Sequence, residues 1–210
     1  MFGIHHFWLF IASGILLNIT PGQDTFYILG RTISQGRRAG VLSVAGICSG
    51  CLVHTLAAAL GLSAILAASS QAFAIVKLVG AAYLVYLGIQ MLLASRSGEK
   101  VATSRRSPSD GWTIYRQGLL TNLLNPKVAL FFLAFLPQFV DEASAAKLPA
   151  FVVLGTTFIF TGTVWCLMLV WFASGISRQF QERKAAGLWL KRAGGALFVG
   201  LGLKMALEDR

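Results

Sequence analysis

The sequence predicts an all-α integral membrane protein: six transmembrane helices as two inverted three-helix repeats, with helices 1 and 4 broken at Pro21 and Pro126. Composition comes first. Of 210 residues, 56% are hydrophobic and only 12% are charged, about half the charged share of an ordinary soluble domain. Patterning comes second, because the apolar residues gather in six runs near the ~20 residues that cross a bilayer core. The third observation is a repeat. Lys77, Gly80, Ala82, Val85, Leu87, Gly88, Met91 and Leu93 recur at the same spacing as Lys191, Gly194, Ala196, Val199, Leu201, Gly202, Met205 and Leu207. Two tandem units with an odd number of spans insert in opposite orientations, which is the inverted-repeat architecture of many secondary transporters.

The runs cover residues of about 6–29, 40–68, 72–94, 113–139, 148–174 and 187–207. One domain, 1–210, is expected. Repeat one spans about 6–94, a polar linker 95–112, and repeat two about 113–207. No Lys or Arg precedes Arg31, so the first run lacks the basic start of a cleavable signal and reads as a retained span. The formal charge of +10 does not indicate a nucleic-acid partner, because the basic residues lie in the breaks between runs and form no contiguous face. The first, third and fifth breaks are basic: Arg31, Arg37 and Arg38; Arg96, Lys100, Arg105, Arg106 and nearby Arg116; Arg178, Arg183, Lys184, Lys191 and Arg192. The second and fourth hold only Lys77 and Lys147. The positive-inside rule places the richer breaks in the cytoplasm and both termini outside. Their exposed pairs are suited to touching anionic membrane lipids.

The first run contains Asn18, Thr20, Pro21, Gly22, Gln23 and Asp24. Pro21 has no N–H and clashes with the carbonyl of Leu17, so the helix must break there, and Gly22 lets the chain turn. A carboxylate at membrane depth costs about 2.5–3.5 kcal/mol or more, so Asp24 should face a wet cavity or the bundle interior. The fourth run repeats the device with Asn122, Asn125, Pro126 and Lys127, where Pro126 should free the carbonyl of Asn122. Taking Arg31 and Arg116 as the cytoplasmic boundary puts both prolines about 15 Å deep, near the midplane of a core of about 30 Å. Asp24 is the candidate acceptor for a proton or an ammonium group. Lys127 is the candidate partner for a carboxylate, or a counter-ion for Asp24. Thr20, Gln23, Asn122 and Asn125 offer uncharged hydrogen bonds beside the breaks. His54, in the second run, fits either a proton relay or a helix–helix hydrogen bond.

Cys48, Cys51 and Cys166 all lie within apolar runs. Cys48 and Cys51 share a helix face and read as small packing residues, as do Gly46 and Gly50, Gly194 and Gly195, and Gly200 and Gly202. All three thiols are expected to lie away from the two prolines. A thiol-disulfide oxidoreductase would need them beside the breaks, and a metal-ion exporter would need clustered carboxylates or thiolates. Both stand as alternatives to a transporter of small organic solutes. No Walker motif is present, so the driving force is an ion or solute gradient, and no cofactor is called for.

These blocks resemble the LysE/RhtB amino-acid exporters. The resemblance rests on residues 20–24, 36–40, 77–88, 117–127 and 131–139, and covers nearly the whole chain. It implies a multi-pass protein of a bacterial cytoplasmic membrane that exports small amino acids, or their derivatives, by proton antiport. It points to the homoserine, threonine and leucine branch. Combined with the inverted repeat, it implies alternating access around a midplane site holding Asp24 and Lys127. The family often has a second proline after the glycine, where this chain has Gln23. A homodimer is compatible with a small bundle of glycine-rich faces.

Overall fold

The computed structural model describes residues 2–62, 110–141 and 143–173, with isolated positions between 71 and 93 and between 192 and 203. Among these the chain is helical, apart from turns and one antiparallel bridge between Ile4 and Val140. The elements are α1 (Phe7–Ile19), α2 (Gln23–Gln35), α3 (Arg37–Ala57), α4 (Gly111–Leu123), α5 (Pro126–Leu130) and α6 (Lys147–Trp171). A π-helical turn over Ala58–Leu62 prolongs α3, and a π turn over Phe131–Phe135 with a 3-10 turn over Leu136–Phe139 prolongs α5. The third and sixth runs and the polar linker, and with them the repeat and most of the fifth break, lie outside the described residues save for isolated positions.

Among the described residues two helices are long and apolar enough to cross a membrane: Arg37–Leu62, with 26 residues, and Lys147–Trp171, with 25. The pair Gly111–Leu123 and Pro126–Phe139, bent by 49°, makes a third candidate span. Both expected breaks are present. α1 stops at Ile19 and α2 starts at Gln23, so Thr20, Pro21 and Gly22 form the first break. α4 stops at Leu123 and α5 starts with Pro126 in the first turn, where its missing N–H is no loss.

The helix directions alternate as successive spans require. α3 and α4 run parallel, since Leu42 lies beside Gly111 and Gly50 beside Asn122. α6 opposes α3: Cys48 meets Thr163, and Arg37 covers the ring of Trp171 at 5.0 Å. α2 opposes α4, with Asp24 against Asn122 and Tyr27 against Ile114.

The α3–α4 crossing is tight because both helices present glycine. A Cβ on Gly46 would overlap the carbonyl oxygen of Tyr115, and one on Gly118 would come 2.8 Å from the carbonyl oxygen of Ser43. The packing role expected of Gly46 and Gly50 is thus observed. Two apolar clusters flank the middle of the bundle. One joins Phe10, Phe131, Phe132, Phe135, Phe139, Phe151 and Phe158, and the other joins Ile28, Leu29, Val44, Ile47, Leu169 and Val170. At the phenylalanine end, His5 N–H donates to the carbonyl of Phe139 at 3.0 Å, and Asp141 N–H to that of Gly3 at 2.9 Å. This ties the N-terminal segment to the end of the second broken span.

One expectation needs correction. The sequence places Arg31 in the first break, but α2 continues to Gln35, and Gly36, at φ 87°, is the turn into α3. Arg31 is only 3% exposed. Its guanidinium donates to the side chain of Gln117 on α4 and lies 5.6 Å from the Tyr27 ring centroid. A paired, buried arginine does not mark a water boundary. The depth estimate for Pro21 therefore grows by about one helical turn, or ~5 Å.

Gly46→Ala should lower stability by about 1–3 kcal/mol or more, because the new methyl meets backbone that cannot rotate away. Gly30→Ala is the control: nothing described lies within 4 Å of its Cβ position, and alanine favours the helix by about 0.5–1 kcal/mol. Thermal unfolding of the two purified variants should move in opposite directions.

Candidate functional site

Each break leaves a backbone carbonyl without its helical donor, and each finds a donor elsewhere. At the first, Lys127 Nζ donates to the carbonyl oxygens of Leu17 at 2.8 Å and Thr20 at 2.9 Å. The Thr20 hydroxyl turns back onto the carbonyl of Leu16 at 2.7 Å. At the second, the carbonyl of Asn122 accepts from the N–H of Asn125 at 3.0 Å and lies 3.2 Å from His54 Nε2. His54 also stacks on Phe132, with centroids 5.8 Å apart. Asn125 caps α5, its side-chain oxygen accepting from the N–H of Lys127 at 3.1 Å.

Asp24 lies in the first turn of α2, where the positive end of the helix dipole favours a carboxylate. Its Oδ2 accepts from Asn122 Nδ2 at 2.8 Å, while Oδ1 is buried and accepts no hydrogen bond. The two breaks are therefore laced together twice. Asn122, before the second break, holds Asp24, after the first. Lys127, after the second break, holds the carbonyls that end α1. The direct Asp24–Lys127 ion pair weighed from sequence is not formed, because each charge is met by the complementary end of a broken helix.

A cavity of about 50 Å³ lies at the breaks, between the two apolar clusters. Thr20, Asp24, Asn125 and Lys127 line it together with Asn18, Thr25 and Thr163. Its lining positions on α3 (Ile47, Cys48, Cys51) and α6 (Phe158 through Cys166) fall near the middle of these two membrane-length helices. The space suits a few waters. Asn122 and His54 form a layer behind Asp24 and do not line the cavity. Gln23 is exposed and also does not line it, so the structure does not bring this sequence-predicted residue to the site. At the first turn of α2, Gln23 and Asp24 are neighbours and so point in different directions.

The cysteines require a second correction. Cys48, Cys51 and Cys166, expected away from the prolines, all line the cavity, and Cys48 Sγ lies 3.0 Å from Thr163 Oγ1. Distance along the chain misled here, because the broken ends of α1 and α5 are packed against the middles of α3 and α6. Thr25, Gly162 and Thr163 also line the cavity, with no charge or break in the sequence to single them out. Only their small size within an apolar run could have marked them.

The profile of the LysE type translocator family matches residues 15–209. The chain is 31% identical over 208 residues to an uncharacterized membrane protein of Pseudomonas aeruginosa, covering 97% of this chain and 96% of that one. It is 28% identical over 206 residues to a leucine efflux protein of Enterobacter sp., covering 98% and 97%. It is 25% identical over 205 residues to a leucine efflux protein of Salmonella typhimurium, covering 98% and 96%. No solved structure matches the chain at a significant level.

Removing the amide of Asn122 leaves a buried carboxylate oxygen without its donor, so Asn122→Ala should cost about 1–3 kcal/mol. A double-mutant cycle with Asp24→Ala, which removes the acceptor, should show a coupling of about 1 kcal/mol when read by thermal unfolding. Strict additivity would mean that the Asn122–Asp24 bond contributes nothing.

Proposed function

We propose that this chain, which belongs to the LysE type translocator family, exports small neutral amino acids across a bacterial inner membrane, in exchange for protons. As a family member it is a membrane transporter and not an enzyme, which removes the oxidoreductase alternative. Leucine-type substrates are the first to test, because relatives at 25% and 28% identity over nearly the full chain are named leucine efflux proteins.

One observation supports the reading above the others. A cavity at the two breaks is lined by a carboxylate and an ammonium group where two antiparallel broken helices meet. A zwitterion needs one group of each sign. In this reading Asp24 receives the substrate ammonium and Lys127 the substrate carboxylate. Thr20 and Asn125 supply uncharged contacts. A carboxylate holds a proton or an ammonium group, not both at once, so Asp24 couples proton entry to substrate exit.

The cavity is smaller than an amino acid with an aliphatic side chain, so access requires the flanking packing to open on one side at a time. The phenylalanine cluster would be the outer gate. The cluster of α2, α3 and α6, with the Arg31–Gln117 contact, would be the inner gate. This orientation, with both termini outside, follows from the basic breaks.

The deciding experiment loads cells with a panel of dipeptides and follows amino acids in the medium. Expression should speed the appearance of one or a few neutral amino acids, and an uncoupler should abolish the gain. If no amino acid appears faster while the protein is in the membrane, amino-acid export is excluded. Asp24→Asn should reduce uncoupler-sensitive export to background at unchanged membrane abundance. Gln23→Ala should export at close to the parental rate.

A further inference from the structure

We propose that the broken end of α1 is a cradle for a primary ammonium cation, and that the chain fills it with its own cation, the side chain of Lys127. The carbonyl oxygens of Leu17 and Thr20 converge on Nζ at 2.8 and 2.9 Å. Both belong to the C-terminal end of α1, which carries a partial negative charge. Unwound carbonyls at membrane depth, next to such an end, are the groups from which transporters build cation sites.

Several features mark this as cation binding and not as neutralisation of a carboxylate. No ion pair joins Lys127 to Asp24, whose partner is Asn122. The stem of Lys127 lies across Gly22, where a Cβ would come 3.7 Å from Nζ and 3.8 Å from Cδ. The cation is thus seated against the turn itself. The height of Lys127 is set from the other repeat, through the Asn125 cap on its N–H. An ammonium group is compact and its three donors rotate freely, so it can mimic a bound ion, whereas a guanidinium is a planar fork.

The cradle belongs to the site of the proposed transport function and adds one element to it. Whenever α5 moves away, the carbonyls of Leu17 and Thr20 lose their cation. The chemical group that replaces it is then another primary ammonium, the one every α-amino acid carries. The end of α1 would bind the substrate ammonium in the open conformations, alongside Asp24.

The test needs no substrate, so its failure is separate from failure of the export reading. Lys127→Ala removes the equivalent of n-propylammonium from the cradle. The purified full-length variant should unfold several degrees below the parent. n-Propylammonium chloride should recover at least half of that loss, and tetramethylammonium chloride, which has no N–H donor, should recover none. The parent should respond to neither salt. If Lys127→Ala does not accumulate, Lys127→Ser is compared in the same way. If neither accumulates, the readout is the yield of folded protein solubilised with each salt present. An n-propylammonium effect no larger than that of tetramethylammonium would overturn the proposal.

Discussion

A membrane interior offers no water to a backbone carbonyl, so a helix broken at that depth must find donors within the protein. This chain breaks two helices at proline, and the remaining features of the site answer that constraint. The end of α1 is met by an ammonium from the second break, and the end of α4 by an imidazole from α3. The donors are long side chains from other elements, so the two breaks must lie at the same height and in contact. The glycine crossing of α3 on α4 brings His54 within reach of Asn122. The antiparallel packing of α2 on α4 does the same for Asn122 and Asp24.

The charges follow the same logic. Lys127 sits at the negative end of α1 and Asp24 at the positive end of α2, so helix dipoles and amides stabilise both without an ion pair between them. A buried ion pair is costly to open, since breaking one by losing a partner costs about 3–5 kcal/mol. Two charges held separately, with one oxygen of Asp24 carrying no hydrogen bond, form a site in which partners can be exchanged. The thiols of Cys48, Cys51 and Cys166 add small, polarizable walls to the same space.

The second broken span also has features suited to movement. α5 is only five residues long and passes into a π turn and then a 3-10 turn. Single π turns recur at functional sites. This segment contributes most of the phenylalanine cluster: Phe131 and Phe135 lie 4.8 Å apart, and Phe135 and Phe139 the same. The short element that supplies Lys127 to the cavity therefore also leads directly into the phenylalanine cluster.

Much of this architecture is local chemistry and was legible in the sequence. Pro21 and Pro126 end helices because proline lacks an N–H, wherever the chain runs, and Gly46 and Gly50 pack because they have no side chain. Asp24 and Lys127 are too costly in hydrocarbon to face lipid. Partnership was not legible. The sequence left open whether Asp24 and Lys127 pair, and it included Gln23 in the site, set the cysteines away from the prolines and placed Arg31 at a boundary. The tertiary structure decided the first point and differs on the other three. Which donor reaches which carbonyl depends on how helices far apart in sequence cross, at a scale of a few ångströms. Whether an arginine needs water depends on whether Gln117 and Tyr27 happen to surround it. Hydropathy and spacing determine where the chain must break, and only the packing of α1, α3, α5 and α6 determines what the breaks are joined to.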